Sequence, residues 1–301
     1  MSDNPQQRRN GELKVCDDVW LAVSTTEWAL AYLAVHRSEE DGTGAQIVIS
    51  KGDSIKRLPI PQGPPPAKLI GFKYMEICYI DATVIAFLRH IRRLFDAGIT
   101  LQMEIPPGAD RSWDIFVQEI WPLLSSNINE LLPADCLHEL RSRISPTVLC
   151  DCANLQSICS RGLPTPEFPA DDRREASDGQ AMTKWIHTPR EDGLPKTFQF
   201  LGDVLLNTMV NGFRETFLNA STAVNYIIVL NGEEAPADYV PFDLKNEQTG
   251  ERLAFRRLSH DAWLMERGLI VRDEKQWTEW KKEALKGIRK NVIVFFIDEE
   301  S

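Results

Sequence analysis

The feature that most constrains the fold is a repeated alternation of short apolar runs with apolar stripes at helical spacing. The first run, Met75 to Ile80, precedes Asp81, a good helix N-cap, and the stripe that follows ends at Gly98. Similar units recur along the chain, and their predicted strands begin near Met75, Ile99, Asn127, Leu155, Thr197 and Asn225. The chain is therefore predicted to be an α/β protein.

The spacing of these strands is close to regular. Successive strands start 24, 28, 28, 42 and 28 residues apart, and the longest interval contains a segment rich in proline and aspartate, Gly162 to Glu175. A strand plus a helix at this period is typical of leucine-rich-type repeats, and helical crossovers make the strands parallel. An ordinary open α/β sheet allows the same pattern, but no glycine-rich phosphate loop follows any predicted strand. We therefore predict a leucine-rich-repeat-like strand–helix stack with a largely parallel curved sheet.

The C-terminal quarter has a different pattern. Val240 to Phe255 alternates apolar and polar residues around a turn at Thr249-Gly250, which predicts an antiparallel hairpin. Trp263 to Val271 predicts a third strand, Asp273 caps a predicted helix, and Val292 to Ile297 predicts a fully apolar closing strand. Because the open end of a repeat stack would expose apolar surface, this quarter is predicted to form an antiparallel α+β cap.

The charge balance and the cysteine count limit the classes of binding partner and the cellular compartment that we expect. The chain has 34 basic and 44 acidic side chains and a formal net charge of −10, which repels phosphate backbones, so no nucleic-acid binding is expected. No apolar stretch approaches the length of a membrane span, so no membrane association is expected. Six cysteines in 301 residues do not make a secreted disulfide framework. We expect a cytoplasmic or nuclear protein.

The residues that could carry chemistry form no familiar catalytic pattern. Cys150 and Cys152, with Cys159 nearby, are the best metal candidates, but structural zinc usually needs wider gaps between paired cysteines and a second pair. Core packing is the favoured interpretation of these cysteines. The five histidines are scattered, and His187, just before Pro189, is interpreted as the end of a helix. We expect no enzyme activity, no metal and no cofactor.

The predicted stack also predicts a binding surface. Helices cover one face of such a sheet and leave the other face for partners. Because side chains alternate between the faces, Leu101, Met103 and Ile105 should face the helices, as should the two phenylalanines that flank Gln199. The polar residues between them are the predicted target-binding residues: Thr100, Gln102, Glu104 and Gln199.

Several longer stretches carry a resemblance to a known family. They are Lys56 to Gln62, Phe168 to Asp172, Thr188 to Lys196, Phe217 to Ser221, Val240 to Leu253 and Arg272 to Ala284. Together they resemble a nematode-expanded family of F-box-type proteins. The resemblance implies an N-terminal F-box that docks on the Skp1-type adaptor of a cullin ubiquitin ligase and a C-terminal region that presents a target. It also implies that catalysis belongs to the partners.

The chain departs from that family at the F-box itself. Val15 to Val23 resembles the first helix of the box, and Glu27 to Leu30 resembles the segment after it, so the middle of the box is missing. The remnant offers Val15, Val19, Trp20 and Val23 as adaptor-binding residues. Two functions follow: a ubiquitin-ligase substrate receptor with a truncated box, or a free interaction protein that binds targets without recruiting the ligase.

These patterns divide the chain into three predicted regions. Residues 1–27 are a polar tail with the F-box remnant, residues 28–235 are the strand–helix repeat region, and residues 236–301 are the hairpin–helix–strand cap. The short, proline-rich segment Pro59 to Pro66 is predicted to be a linker before the first repeat.

Overall fold

The computed structural model describes ten stretches of the chain. They are residues 29–38, 44–51, 54–67, 69–106, 108–132, 136–161, 164–202, 207–231, 240–286 and 291–295. The chain divides into two compact units, the first made of residues 1–128 and 289–301 and the second of residues 129–288. The predicted adaptor-binding residues Val15, Val19, Trp20 and Val23 lie outside the described residues. No helix in the described stretches has both the length and the apolar character needed to cross a bilayer.

The first unit contains a six-stranded sheet of mixed direction. Its strands are β1 (Ala29–Arg37), β2 (Ala45–Lys51), β3 (Ser54–Pro59), β4 (Gly71–Ile77), β5 (Ile99–Met103) and β13 (Val292–Phe295). Their order is β5-β13-β4-β1-β2-β3. The strands from β5 to β1 are parallel, whereas β1, β2 and β3 form an antiparallel meander. The predicted linker thus follows an antiparallel hairpin that the sequence patterns did not predict.

Helix α1 (Ala82–Ile91) connects β4 to β5 and begins as the sequence predicts. The Asp81 carboxylate accepts hydrogen bonds from the backbone N–H groups of Thr83 and Val84, which satisfies two donors of the first turn. The second helical segment follows β5. It comprises α2 (Asp110–Ile115), a π-helical turn (Phe116–Ile120) and α3 (Trp121–Leu124), which contains Pro122 in its first turn.

The position of β13 corrects the prediction that Val292 to Ile297 closes a C-terminal cap. The strand pairs in parallel with β4 on one side and with β5 on the other, inside the first unit. All four of its residues are buried, and a strand that is apolar on both faces suits the interior of a parallel sheet. Asn291 fixes its start, because its side chain accepts from Phe72 N and donates to Gly98 O.

The second unit contains a seven-stranded sheet. Its strands are β6 (Ile128–Leu132), β7 (Ser157–Arg161), β8 (Lys196–Leu201), β9 (Tyr226–Asn231), β10 (Phe242–Asn246), β11 (Glu251–Arg257) and β12 (Ala262–Leu269). Their order is β6-β7-β8-β9-β12-β11-β10. Strands β6 to β9 are parallel and adjacent in chain order, whereas β9, β12, β11 and β10 are antiparallel. A largely parallel α/β arrangement with antiparallel C-terminal strands is confirmed.

Helices cover both faces of this second sheet. They are α4 (Leu137–Arg143), α5 (Val148–Asp151), α6 (Asp178–Ile186), α7 (Asn207–Leu218) and α8 (Glu274–Lys286). Trp277 of α8 packs with Ile227 and Val229, whereas Phe213 of α7 contacts Tyr226. Because neighbouring residues of a strand point to opposite faces, α7 and α8 lie on opposite sides of β9. The predicted open face is therefore covered at β9.

Candidate functional site

The predicted target-binding residues of β5 differ in accessibility. Leu101 and Met103 are buried as predicted. Glu104 is exposed and Gln102 is half-buried, but Thr100 is only 3% exposed, so its predicted solvent-facing position is wrong. Thr100 is buried because it lies in the parallel ladder beside Val292 of β13, a strand whose position the local pattern does not reveal.

Gln199 lies in the second unit, on the face that α8 covers. It is half-buried, and its side-chain amide donates to the carbonyl oxygen of Ala284 near the end of that helix. The flanking residues Phe198 and Phe200 are buried on the other face, as predicted. Gln199 thus has a structural partner, and the structure divides the four predicted residues between two units.

The candidate zinc ligands Cys150, Cys152 and Cys159 belong to the second unit. Cys152 and Cys159 are buried, and Cys150 is half-buried. Burial raises the pKa of the Cys152 thiol to about 12, which favours the protonated form over the thiolate that a metal requires. Within the described stretches, no group of three or more histidine, cysteine, aspartate or glutamate side chains is arranged to hold a metal ion.

A cleft of about 690 Å³ in the second unit is the best candidate site, and we call it the Phe168 cleft. It lies between the segment that precedes α6, the C-terminal half of α7 and the loop that leads to β9. Its lining residues are Phe168, Pro169, Ala170, His187, Gly212, Glu215, Thr216, Asn219, Ala220, Ser221, Thr222, Val224 and Arg267. Aromatic, carboxylate, amide and hydroxyl groups therefore all face this space.

Arg267, which lines the Phe168 cleft, belongs to a buried ion pair. Arg267 of β12 and Glu251 of β11 are 1% and 0% exposed, and two hydrogen bonds of 2.7 and 3.1 Å join them. Arg267 also donates to Thr222 O, and Glu251 accepts from Val224 N. The guanidinium lies over the ring of Phe217, with 5.2 Å between the guanidinium carbon and the ring centroid. Both charges are thus compensated within the protein.

His187 also lines the Phe168 cleft. It is the C-cap residue of α6, as the sequence predicts, and its Nδ1 lies 2.9 Å from Thr183 O. A carbonyl oxygen only accepts, so Nδ1 carries the proton and Nε2 carries the lone pair. Burial lowers the pKa of His187 to about 4, so the ring is neutral at pH 7. Nε2 is buried and has no hydrogen-bond partner among the described residues.

Aromatic packing holds the wall of the Phe168 cleft in place. The Phe168 ring packs edge-on against Phe213, with 5.1 Å between the ring centroids, and Phe213 stacks on His187 at 5.5 Å. Gly212 lets the wall come this close, because a Cβ at that position would lie 2.1 Å from Phe168 Cδ2. The cleft is therefore built from fixed elements rather than from long surface side chains.

The sequence patterns indicate only part of this site. They mark His187 as a helix end and Phe168 to Asp172 as a family-like motif, but they do not indicate Arg267 or Glu251. The available signal was Glu266-Arg267 in the middle of an otherwise apolar strand, because charged residues at such positions are usually paired.

No family model, curated protein or solved structure matches this chain.

Proposed function

We propose that this chain is a protein-binding module that takes an arginine side chain of its target in the Phe168 cleft. The observation that carries this proposal is the buried Nε2 of His187, an acceptor without a partner among the described residues. Buried polar atoms are almost always hydrogen-bonded, so this nitrogen favours a ligand that brings an N–H donor. The charge of Arg267 does not oppose the binding of a second guanidinium, because Glu251 already neutralises it.

Binding is a better interpretation of this cleft than proton transfer. An efficient general base at neutral pH has a pKa near 7, whereas the pKa of His187 is lowered to about 4. In addition, Nδ1 of His187 is oriented by the backbone oxygen of Thr183 rather than by a carboxylate that would stabilise an imidazolium. The ring is therefore suited to accept a hydrogen bond and to stay neutral.

Three features favour arginine as the donor. A guanidinium is planar and stacks on aromatic rings, and Phe168 and His187 line the cleft. Glu215 of α7 also lines it and adds a carboxylate near the opening. The net charge of −10 favours the approach of a basic target over an acidic one.

The family resemblance extends this proposal to the ubiquitin system. In that scheme the chain is a substrate receptor that presents its target for ubiquitination, with catalysis supplied by the partners. The adaptor would be held through Val15, Val19, Trp20 and Val23. The alternative is a free interaction protein that binds the same target without recruiting a ligase. The consecutive parallel strands β6 to β9 support the proposal of a leucine-rich-repeat-like stack, whereas α8, on the second face of β9, departs from it.

Peptide binding tests the arginine site. Fluorescent peptides with a central arginine are titrated with the wild type and with His187→Phe, which keeps an aromatic ring but removes the acceptor. We expect affinity to fall about 10-fold or more, because a hydrogen bond to a charged group contributes about 1.5–3 kcal/mol. His260→Phe, at an exposed histidine, is the matched control. Equal binding of peptides with leucine in place of arginine contradicts the proposal.

A titration against a purified Skp1-type adaptor separates the two cellular functions. The chain is compared with a chimera that carries a complete F-box in place of residues 1–27. We expect the chain to bind the adaptor much more weakly than the chimera, since stable interfaces bury on the order of 1,600 Å² and a single short helix loses affinity on ordering. Equal affinities contradict this expectation and favour the substrate receptor.

A further inference from the structure

A second cleft in the second unit encloses a buried lysine, and we call it the Lys196 cleft. Its volume is about 400 Å³. Its apolar lining comes from Leu149, Leu155 and Trp185, and its polar lining includes Cys150, Asn154, Thr188, Arg190, Glu191, Asp192 and Lys196. None of these residues lines the Phe168 cleft, so the two spaces are separate.

Lys196 is the first residue of β8 and is only 5% exposed. Its ammonium donates to the carbonyl oxygen of Trp185 and lies 4.9 Å from the centroid of the Trp185 ring. Within the described ranges, no carboxylate is at ion-pair distance from this ammonium. An ammonium has three donors, and buried charges are normally paired. The ammonium of Lys196 therefore has donors left for a ligand and lacks a counter-charge among the described residues.

The neighbouring charged side chains do not supply a counter-charge to Lys196. Arg190 binds Asp192 through two hydrogen bonds, one of them 2.9 Å long from Nε to Oδ1, and Leu194 N also donates to that carboxylate. Glu191 is exposed. Lys196 and Arg190 together balance Asp192 and Glu191, so the lining is formally neutral. Such a lining suits a singly charged anion better than a dianion.

The ammonium form of Lys196 predominates at neutral pH despite its burial. The pKa of Lys196 is lowered to about 8, mainly because burial desolvates the ammonium; a Cys150 thiolate would raise this pKa, and Arg190 contributes to lowering it. Burial in turn raises the pKa of Cys150, so that thiol is protonated and supplies no counter-charge. A pKa of about 8 leaves about nine-tenths of the lysine protonated at pH 7.

We propose that the Lys196 cleft binds a monocarboxylate with an apolar body. The carboxylate accepts hydrogen bonds from Lys196 Nζ, and the apolar body packs against Trp185, Leu149 and Leu155. Both a free carboxylic acid and the C-terminal carboxylate of a peptide have this chemistry. The site goes beyond the proposed arginine recognition and uses none of its residues.

Calorimetric titration with hexanoate is the direct test, with hexanamide as its neutral match. We expect hexanoate to bind at least 10-fold more tightly than hexanamide and than inorganic phosphate. Lys196→Met should reduce hexanoate affinity at least 10-fold, whereas Lys184→Met, at an exposed lysine of α6, should leave it unchanged. A peptide with a free C-terminal carboxylate and its amidated form distinguish the two sources of the carboxylate.

An NMR titration of the Lys196 side chain keeps the proposal testable if the variant fails to fold. In the wild-type protein, saturating hexanoate should raise the pKa of Lys196 from about 8 towards its usual value, because the bound anion favours the ammonium. An unchanged pKa overturns the proposal, as does equal binding of hexanoate and hexanamide. Tighter binding of phosphate than of hexanoate overturns the assignment to a monocarboxylate.

Discussion

The two clefts of the second unit handle a buried cation in opposite ways. In the Phe168 cleft, Arg267 has a carboxylate partner within the protein, and the unsatisfied group is the neutral Nε2 of His187. In the Lys196 cleft, the cation has a backbone carbonyl and a ring as partners but no carboxylate among the residues that the structure describes. The buried cation is thus a structural element in the Phe168 cleft, where Glu251 pairs its charge, and the proposed binding group in the Lys196 cleft.

The largest expected effect comes from breaking the internal pair. Glu251→Gln leaves Arg267 buried without a counter-charge, and we expect a loss of about 3–5 kcal/mol in the free energy of unfolding. Urea denaturation measures it. Asp243→Asn is the matched control, because Asp243 and Arg252 form an ion pair that is about half exposed, and we expect a loss of less than about 1 kcal/mol there. Similar losses in the two variants would contradict the contrast between paired and exposed charges.

The pH dependence of stability should reveal the unpaired cation. The pKa of Lys196 is about 8 in the folded protein and about 10.4 in the unfolded chain, so between these values the unfolded state binds more protons. Stability should therefore rise by about 2–3 kcal/mol between pH 7 and pH 10 relative to Lys196→Met. Denaturation of both proteins at each pH isolates this effect from other groups. A constant difference between them means that Lys196 is not desolvated.

His187 should respond in the acid range. Its pKa is about 4 in the folded protein and about 6.5 in the unfolded chain, so the unfolded state takes up the proton first as the pH falls. We expect the wild type to lose about 2 kcal/mol between pH 7 and pH 5 relative to His187→Phe. The same denaturation series measures it, and His260→Phe, at an exposed histidine, should follow the wild type. A loss of the same size in the wild type and in His187→Phe would show that His187 is not buried as a neutral ring.

The smallest expected effect tests the wall of the Phe168 cleft. Gly212→Ala places a Cβ against the Phe168 ring and should cost about 1–2 kcal/mol, because overpacking outweighs the gain in helix propensity. The same change in a Phe168→Ala background should be neutral or stabilising. Thermal unfolding of the single and double variants measures the coupling. Equal costs in both backgrounds would show that Phe168 does not occupy this position.

Local patterns predicted the elements better than their partners. The cap at Asp81, the hairpin around Thr249-Gly250 and the inward positions of Leu101 and Met103 follow from neighbouring residues, and the structure confirms them. The position of β13 depends on pairing with strands some 190 residues or more away, and no local pattern encodes such a choice. The same is true of α8: Asp273 indicates where this helix begins, but no local pattern indicates the sheet face that it covers.

The candidate site was predictable only where sequence neighbours build it. His187 follows α6 directly, so its place at a helix end was evident. Glu251, the partner of Arg267, is 16 residues away across a hairpin, and Phe168 is more than 40 residues from Gly212, against which it packs. The residues that decide whether a charge is paired are therefore set by the tertiary fold. This is why the sequence indicates His187 only as a helix end.

The place of β13 has a consequence for synthesis on the ribosome. Strands β4 and β5 emerge early, but the strand that joins them emerges about 190 residues after β5. At translation rates of about 5–20 residues per second, roughly 10–40 s pass before the gap is filled. During that time both strands present unpaired backbone edges. The first unit to be made is thus the last to be completed, and a premature stop anywhere before residue 292 leaves its sheet open.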